Sequence, residues 1–382
     1  MDFVPVNEPL LDGNEKKYLC ECIDTGWISS EGPFVKEFER RMSQTVQRRY
    51  GISVTNGTAA LELAVRALEI GEGDEVIMPA FTIISCASAV TRVGAVPALV
   101  DSDINTWNMK IDEIERRITS KTKAIMVVHI YGLPVEMEPV IQLAKKYDLK
   151  IIEDAAQMHG QTYNGKPCGS FGDISVFSFY PNKHVTTGEG GMVVTDNEEL
   201  AERCRSLRNL CFRNDIRYVH DELSGNYRFT NLQAAVGLAQ LERLDEFVKR
   251  KRKMGKYYTE ALKGVDGLKL PMEKTEYADN IYWVYGIVLE PYISVTNREM
   301  CKKLAEAGIG SRTFFWCMHE QPVYAKKGYF QGENYVNAER LARKGFYIPS
   351  GLALTEKQME RVVIQIKRIM NELCHSAKAD RV

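Results

Sequence analysis

The feature that most constrains the fold is an alternation of short apolar runs with amphipathic segments through the middle of the chain. Several apolar runs lack polar alternation, as expected for strands that helices cover on both faces of a sheet. Strand, helix and strand in series favour an α/β domain whose sheet is mainly parallel and sandwiched between helices. The predicted strands are residues 75–78, 95–100, 124–129, 150–153, 174–179 and 192–195. The predicted helices between them are residues 59–68, 111–118, 140–147 and 198–207.

The rest of the chain predicts a second, smaller unit. A helical period persists over residues 231–262, and a helix this long usually connects two units. Strand-like and helical segments follow at residues 281–289, 297–307, 311–316 and 356–373. A chain of 382 residues is also longer than one hydrophobic core usually supports. We predict an N-terminal segment (1–30), a large cofactor-binding domain (31–250) and a smaller C-terminal α/β domain (251–382).

Composition excludes several classes of function. A net charge of −1 gives no global electrostatic case for binding nucleic acid or an anionic membrane. The densest basic run, residues 249–253, lies in a helical pattern and is interpreted as a solvated helix face. No apolar stretch reaches the length of a membrane span, and the N-terminus lacks a signal pattern. The nine cysteines are scattered without paired CxxC motifs, so we expect reduced thiols, no metal site and a cytoplasmic protein.

Three features carry candidate chemistry, although each alone has a plain structural interpretation. Gly57 and Thr58 open a helix after a short strand, and such a start suits a phosphate as well as an ordinary N-cap. Asp154 ends an apolar strand, where open α/β sheets bind ligands, but it could simply cap the next helix. Lys183 follows the next strand, with Ser178 five residues before it, and a lysine there is usually solvent-facing.

Together the three features predict a pyridoxal phosphate enzyme. Their order along the chain is phosphate turn, acid and then lysine, with 183 − 154 = 29 residues between the last two. The lysine supplies the amine that bonds to the cofactor, and the carboxylate keeps the pyridine nitrogen protonated.

At this point the chain resembles the DegT/DnrJ/StrS sugar aminotransferases over nearly its whole length. The matching motifs are residues 7–15, 25–30, 56–61, the Glu-Asp-Ala-Ala-Gln run at 153–157, the segment around Lys183, and Asn-Tyr-Arg-Phe-Thr-Asn-Leu-Gln-Ala-Ala at 226–235. The resemblance implies fold type I, pyridoxal 5'-phosphate with a pyridoxamine phosphate form, and glutamate as the amino donor. Within the family the chain is most similar to perosamine synthase-type enzymes, which aminate carbon 4 of a nucleotide-linked 4-keto-6-deoxyhexose for surface polysaccharides. Residues 312–319 support that subgroup.

The resemblance also implies roles for individual residues. Lys183 and Asp154 are the expected catalytic pair, and Gln157 would bond the ring hydroxyl. Gly57, Thr58 and Ser178 would hold the phosphate. Asn226 would reach the phosphate of a neighbouring subunit's cofactor, which implies a homodimer with shared active sites. Arg228, His319, Trp316 and His159 are candidates for substrate contact.

Some positions stay open at the level of sequence. Many relatives place an aromatic residue over the cofactor ring where this chain has Ile83, so either Ile83 or Phe81 packs there. Arg312 is assigned either to the nucleotide or to the small-domain surface, and His184 is interpreted as a turn residue. The rival functions are a sugar dehydratase of the same fold, in which histidine replaces the lysine, and a non-catalytic regulator. A third alternative keeps the chemistry with a 3-keto sugar or a keto-cyclitol.

Overall fold

Strands and helices alternate along most of the chain, which a computed structural model describes for residues 3–213, 215–216 and 218–379. The strands are β1 (Tyr50–Val54), β2 (Glu75–Pro79), β3 (Val96–Val100), β4 (Thr122–Val128), β5 (Lys150–Asp154), β6 (Thr162–Tyr163), β7 (Lys166–Pro167), β8 (Ile174–Ser178), β9 (Gly191–Thr195), β10 (Leu268–Lys269), β11 (Tyr285–Leu289), β12 (Arg312–Thr313) and β13 (Gly345–Ile348). The helices are α1 (Glu15–Thr25), α2 (Pro33–Thr45), α3 (Gly57–Ala67), α4 (Ile84–Arg92), α5 (Met137–Tyr147), α6 (Glu198–Arg208), α7 (Asn231–Leu241), α8 (Leu244–Leu262), α9 (Asn297–Glu306), α10 (Pro322–Ala325), α11 (Val336–Lys344) and α12 (Glu356–Ala379).

The central element is a seven-stranded sheet with the order β1-β9-β8-β5-β4-β2-β3. Its strands run parallel except β9, which is antiparallel to both of its neighbours. The predicted mainly parallel α/β sheet is therefore confirmed. Because the carboxyl ends of parallel strands share one edge of a sheet, the residues that follow β1, β4, β5 and β8 lie at the same edge.

Apolar clusters pack on both faces of this sheet, and β4 shows how a continuous apolar run serves both. Met126 and Val128 belong to the cluster on one face, while Ile125 and Val127 belong to the cluster on the other. Successive side chains of a strand point to opposite faces, so a strand covered on both sides needs apolar residues at every position.

A second, antiparallel sheet with the order β10-β11-β13-β12 organises the C-terminal part. Its own apolar cluster includes Tyr258 from α8, Leu304 from α9 and Ile366 from α12. The first part of α8 instead contributes Leu244 and Val248 to a cluster on the large sheet. Helix α8 thus packs in both units, and the domain division at residue 250 stays a prediction.

Two predicted helices are wrong in detail. The pattern over residues 231–262 is two helices, α7 and α8, because Arg243 leaves the helical conformation (φ −113°, ψ 13°) while its guanidinium pairs with Asp12 and Glu246. Residues 111–118 form two short 3₁₀ turns, Ile111–Glu113 and Glu115–Arg117, rather than an α-helix. There the carboxylate of Glu113 accepts the N–H of Asp101 at 3.0 Å and ties the turn to the end of β3.

The basic run at residues 249–253 is not entirely a solvated face, so that interpretation is wrong at its centre. Lys251 is buried, and its Nζ donates to the carbonyl oxygens of Trp283, at 2.9 Å, and Ser350. Burial lowers the pKa of Lys251 to about 7. The other four residues of the run are exposed.

None of the helices described here combines the length and the apolar character that crossing a membrane requires.

Candidate active site

The predicted acid and lysine meet at the carboxyl edge of the large sheet. Asp154 is the last residue of β5 and Ser178 is the last residue of β8, and these two strands pair in parallel. Beyond β8 the chain turns tightly, with the N–H of Lys183 donating to the carbonyl of Tyr180 at 2.9 Å. The N–H of Thr187 then returns to the carbonyl of Phe179 at 3.0 Å and closes the loop that carries the lysine.

A cavity of about 320 Å³ lies at this edge and gathers six of the predicted site residues. These residues, which come from the start of α3, the end of β5 and the segment after β8, are Gly57, Thr58, Asp154, Gln157, Ser178 and Lys183. Sequence reasoning missed other parts of the cavity wall because they come from distant segments. They include Ser85, Trp283, Phe315 and Tyr347.

One end of the cavity is the start of α3. Asn56 caps this helix, its side-chain oxygen accepting the N–H of Ala59 at 2.8 Å, which leaves the N–H groups of Gly57 and Thr58 available to an anion. The hydroxyls of Thr58 and Ser85 lie 2.8 Å apart beside them. A Cβ on Gly57 would lie 2.8 Å from the Cβ of Ser178, so glycine is required for the helix to approach β8 this closely. The result is a phosphate-sized cup of N–H and O–H donors.

Asp154 is a buried carboxylate whose direct hydrogen-bond donors are uncharged. Its Oδ1 accepts the N–H of Ala156 at 3.0 Å, and its Oδ2 accepts the thiol of Cys86 at 3.3 Å. Burial raises the pKa of Cys86, so this thiol stays protonated and acts as a donor. Among the residues that the structure describes, no basic side chain forms an ion pair with Asp154. Burial also raises the pKa of Asp154, which favours the protonated form of its carboxyl group. A cation placed against the carboxyl group would have the opposite effect and favour the ionised form.

Gln157 is oriented by the backbone of a strained residue. Its Oε1 accepts the N–H of Tyr131 at 2.6 Å, which leaves its amide NH₂ as the group to donate elsewhere. Tyr131 lies three residues beyond the end of β4 and has φ of +56°, a left-handed conformation that is uncommon for a bulky residue. Its hydroxyl accepts the N–H of Phe315 at 3.2 Å, which fixes a further wall of the cavity.

Lys183 presents a desolvated amine to the cavity. Burial lowers its pKa and the carboxylate of Asp154 opposes that shift. The Nζ lies 3.6 Å from the centroid of the Trp283 ring. A lysine with a lowered pKa retains the lone pair that a nucleophile and base requires.

Glu153, next to Asp154, is a structural anchor. Its carboxylate accepts the N–H groups of Gly169, Phe171 and Gly172 at 2.5, 2.9 and 3.1 Å, and it lies 3.1 Å from Nε2 of His129. Burial raises the pKa of Glu153, but the hydrogen bond and charge of His129 and these N–H groups outweigh burial and lower it to about 2. The anchor fixes the end of β5 on which Asp154 stands.

Two histidines near the lysine do not line the cavity. His159 is fully buried and packs between Phe177 and Phe179, with ring centroids 5.3 and 5.5 Å away. Burial, and secondarily the charge of Lys183, lowers its pKa to about 3, so its ring is neutral. His184 is also buried, with Nε2 3.3 Å from the carbonyl of Ile281.

The structure places the other predicted substrate residues outside this chain's cavity. Trp316 lies against the guanidinium groups of Arg298 and Arg343, 5.3 and 5.7 Å from its ring centroid. Nε2 of His319 lies 3.1 Å from Oε1 of Glu339. Their roles toward the sugar stay predictions.

Asn226 and Arg228 do not line this cavity. Asn226 is exposed, and its Oδ1 accepts the N–H of Arg228 at 3.2 Å. The guanidinium of Arg228 donates to Oδ1 of Asn209 at 2.6 Å.

The structure distinguishes the two candidates for the ring-stacking position. Ile83 is 39% exposed and lines the cavity, whereas Phe81 is fully buried. Phe81 packs in an aromatic cluster with Tyr131, Phe314 and Phe315. Of the two, only Ile83 lines the cavity, and its stacking on the cofactor ring stays a prediction. Arg312 is exposed on β12, at the surface of the C-terminal unit.

The donor set fits pyridoxal phosphate. The cavity combines an anion cup, a buried carboxylate and a desolvated amine, which match the phosphate, the pyridinium nitrogen and the carbonyl carbon of that cofactor. Together with the seven-stranded sheet, whose single antiparallel strand is β9, this site defines a pyridoxal phosphate enzyme of fold type I.

Comparison with known proteins identifies the family. The model of the DegT/DnrJ/EryC1/StrS aminotransferase family matches residues 9–367. GDP-perosamine synthase of Escherichia coli O157:H7 is 41% identical over 372 residues, which cover 97% of this chain and 99% of that protein. GDP-perosamine synthase of Caulobacter vibrioides is 40% identical over 367 residues, covering 96% and 98%. The crystal structure of the aminotransferase TlmJ from Streptoalloteichus hindustanus has a TM-score of 0.90 at 27% identity, covering 97% of this chain and 100% of that one. The chain belongs to the DegT/DnrJ/EryC1/StrS aminotransferase family, which confirms the family, fold and cofactor predicted from the sequence.

Proposed function

We propose that this protein transfers the amino group of glutamate to carbon 4 of a nucleotide-linked 4-keto-6-deoxyhexose, giving a 4-amino sugar nucleotide for surface polysaccharide. The observation that carries the proposal is the desolvated amine of Lys183 in one cavity with the buried carboxylate of Asp154. The choice of sugar rests on the similarity to proteins named GDP-perosamine synthase. Those names supply the acceptor class, while the site supplies the chemistry.

When bound, pyridoxal phosphate supplies an electron sink for the pair of electrons left when a proton departs. Asp154 would hold the charge of the ring nitrogen, and Gln157 would donate its amide NH₂ to the ring hydroxyl. The N–H groups of Gly57 and Thr58, with the hydroxyl of Ser178, would bind the phosphate.

Lys183 moves the protons. Burial lowers the pKa of its Nζ, which makes the neutral amine accessible; that amine accepts the α-proton of glutamate and holds it as an ammonium. In the second half of the reaction the same Nζ delivers a proton to the former keto carbon of the sugar. The presence of this lysine favours amination over the dehydratase alternative. The complete cavity argues against a non-catalytic regulator.

We also propose that the protein acts as a homodimer with shared sites. The apolar side chains of Trp27 and Leu223 are 50% and 88% exposed, which suits a surface covered by a second copy. Asn226 is exposed outside this chain's own cavity, as a residue reaching a neighbour's phosphate would be. Mixing inactive Lys183→Ala and Asn226→Ala proteins should restore activity if sites are shared, whereas an inactive mixture of refolded dimers would contradict sharing.

A donor and acceptor screen tests the function. Purified protein with glutamate is offered nucleotide-linked 4-keto and 3-keto sugars and a keto-cyclitol, while 2-oxoglutarate release and product mass are followed. We expect amination of the 4-keto-6-deoxy sugar and none in Lys183→Ala. Loss of a hydroxyl without glutamate consumption would establish the dehydratase, amination of only a 3-keto sugar or a keto-cyclitol would correct the acceptor, and no turnover with any acceptor would refute the proposal.

A further inference from the structure

We infer that Trp283 is a positioning residue whose ring face holds the amine of Lys183 while that amine carries the proton it has accepted. The inference rests on the proposed function, in which this amine must alternate between accepting and releasing a proton. A neutral aromatic face, rather than a carboxylate, then stabilises the protonated amine.

The geometry is that of a cation on an aromatic face. The Nζ of Lys183 lies 3.6 Å from the centroid of the indole ring, within the ~6 Å range over which a cation is attracted to a ring. Lys183 is 9% exposed and Trp283 is 4% exposed, so little water competes with the contact. Cation–ring attraction is strongest when both groups are desolvated, and tryptophan offers the strongest face.

Two contacts hold the indole, and a third fixes the backbone of Trp283. Its Nε1 donates to the carbonyl of Asn182 at 2.8 Å, which attaches the ring to the loop that carries Lys183. The backbone oxygen of Trp283 accepts from the buried Nζ of Lys251 at 2.9 Å. The ring also packs on Tyr131, with centroids 5.6 Å apart. The face is therefore fixed in place before the amine arrives.

The charged groups around the amine explain why a neutral face suits this position. Asp154, Glu189, Tyr180 and Tyr347 share the cavity wall with Lys183. Asp154 attracts the ammonium, but in the reaction it is committed to the ring nitrogen. Buried Lys251 repels the ammonium, and the buried His159 and His184 are neutral because burial lowers the pKa of each. A ring face stabilises the ammonium without competing for the proton that it carries.

The test uses the apoenzyme, so it is independent of cofactor chemistry. Trace acetylation with acetic anhydride across a pH series, quantified by peptide mass spectrometry, gives the pKa of the Lys183 amine. Trp283→Met removes the aromatic face, Trp283→Phe keeps a weaker one, and Trp107→Met is the matched control. Trp107 is a 4% exposed tryptophan that packs on Tyr131 at 6.1 Å in the same aromatic cluster.

We expect the pKa of Lys183 to fall by about one unit in Trp283→Met, by roughly half as much in Trp283→Phe, and to stay unchanged in Trp107→Met. If Trp283→Met does not fold, the fall in Trp283→Phe decides alone. An unchanged or raised pKa in folded Trp283 variants, or an equal fall in Trp107→Met, would overturn the inference. Transamination by Lys183→Ala would instead overturn the proposed function, so the two failures are distinguishable.

Discussion

The start of α3 should not tolerate a side chain at residue 57, and this prediction tests the phosphate cup directly. In Gly57→Ala the new Cβ would lie 2.8 Å from Cβ and 3.2 Å from Oγ of Ser178. Carbon atoms in contact prefer about 3.5–4.0 Å, so the helix start and the end of β8 must separate by more than half an ångström. Overpacking of this kind costs about 1–3 kcal/mol.

The strain falls on the groups that bind phosphate, so it should appear as weaker cofactor binding. At about 1.4 kcal/mol per factor of ten, the dissociation constant for pyridoxal phosphate should rise about 5- to 150-fold. Absorbance titration of the apoenzyme measures this constant. Gly71→Ala is the matched control, because a Cβ there meets nothing within 4 Å.

A double variant separates the clash from other effects. Gly57→Ala combined with Ser178→Gly removes the atom that the new Cβ meets, so the two substitutions should couple favourably relative to their single effects. The reasoning is refuted if Gly57→Ala binds cofactor within twofold of the parent protein, or if Gly71→Ala weakens binding equally.

Three further predictions concern buried ionisable groups. Asp154→Asn should lower turnover by about 10²–10³-fold. It should not lower the thermal stability of the apoenzyme, because burial raises the pKa of this carboxyl group and its charge costs stability. Turnover close to that of the parent protein would contradict the catalytic role of Asp154. Lys251→Met should remove a pH dependence measured by urea unfolding of the apoprotein. Burial lowers the folded-state pKa of Lys251 to about 7, so above pH 7 the unfolded chain binds more protons than the folded one. The free energy of unfolding of the parent should therefore rise relative to that of the variant by about 1.4 kcal/mol per pH unit up to about pH 10. Parallel pH profiles of the two proteins would argue against this assignment. Glu153→Gln should lower the free energy of unfolding by about 3–5 kcal/mol at pH 7. This difference should shrink as the pH falls from about 4.5 toward 2, because the folded-state pKa of Glu153 is about 2. A difference independent of pH in the same unfolding assay would count against the anchoring role of Glu153.

Strands that are apolar at every position were predictable because burial on both faces leaves a continuous signal in the sequence. Asp154 was placed correctly at a strand end for the same reason. Helices α2, α4 and α11 were not predicted. In α4 most residues are Ser, Cys, Ala or Thr, so the local pattern is weak and packing against the sheet decides the conformation.

The burial of Lys251 was indicated by the helical spacing of apolar residues around it, but the basic composition of residues 249–253 favoured a different interpretation. Phe247, Met254 and Tyr258 lie on the buried side of α8, and residue 251 falls on the same stripe at spacings of three and four. Five consecutive basic residues concealed this period. Trp283, by contrast, lies 100 residues after Lys183 in the chain, and the local sequence around either residue does not predict their contact.

The most direct test of the central claim is to locate the covalent attachment of the cofactor. The holoenzyme is reduced with borohydride, which makes the bond between cofactor and lysine permanent, and its peptides are mapped by mass spectrometry. We predict that the mass of the reduced cofactor is found on Lys183, and that Lys183→Ala retains the fold but carries no such label. Attachment to another lysine, or full transamination by Lys183→Ala, would contradict the account.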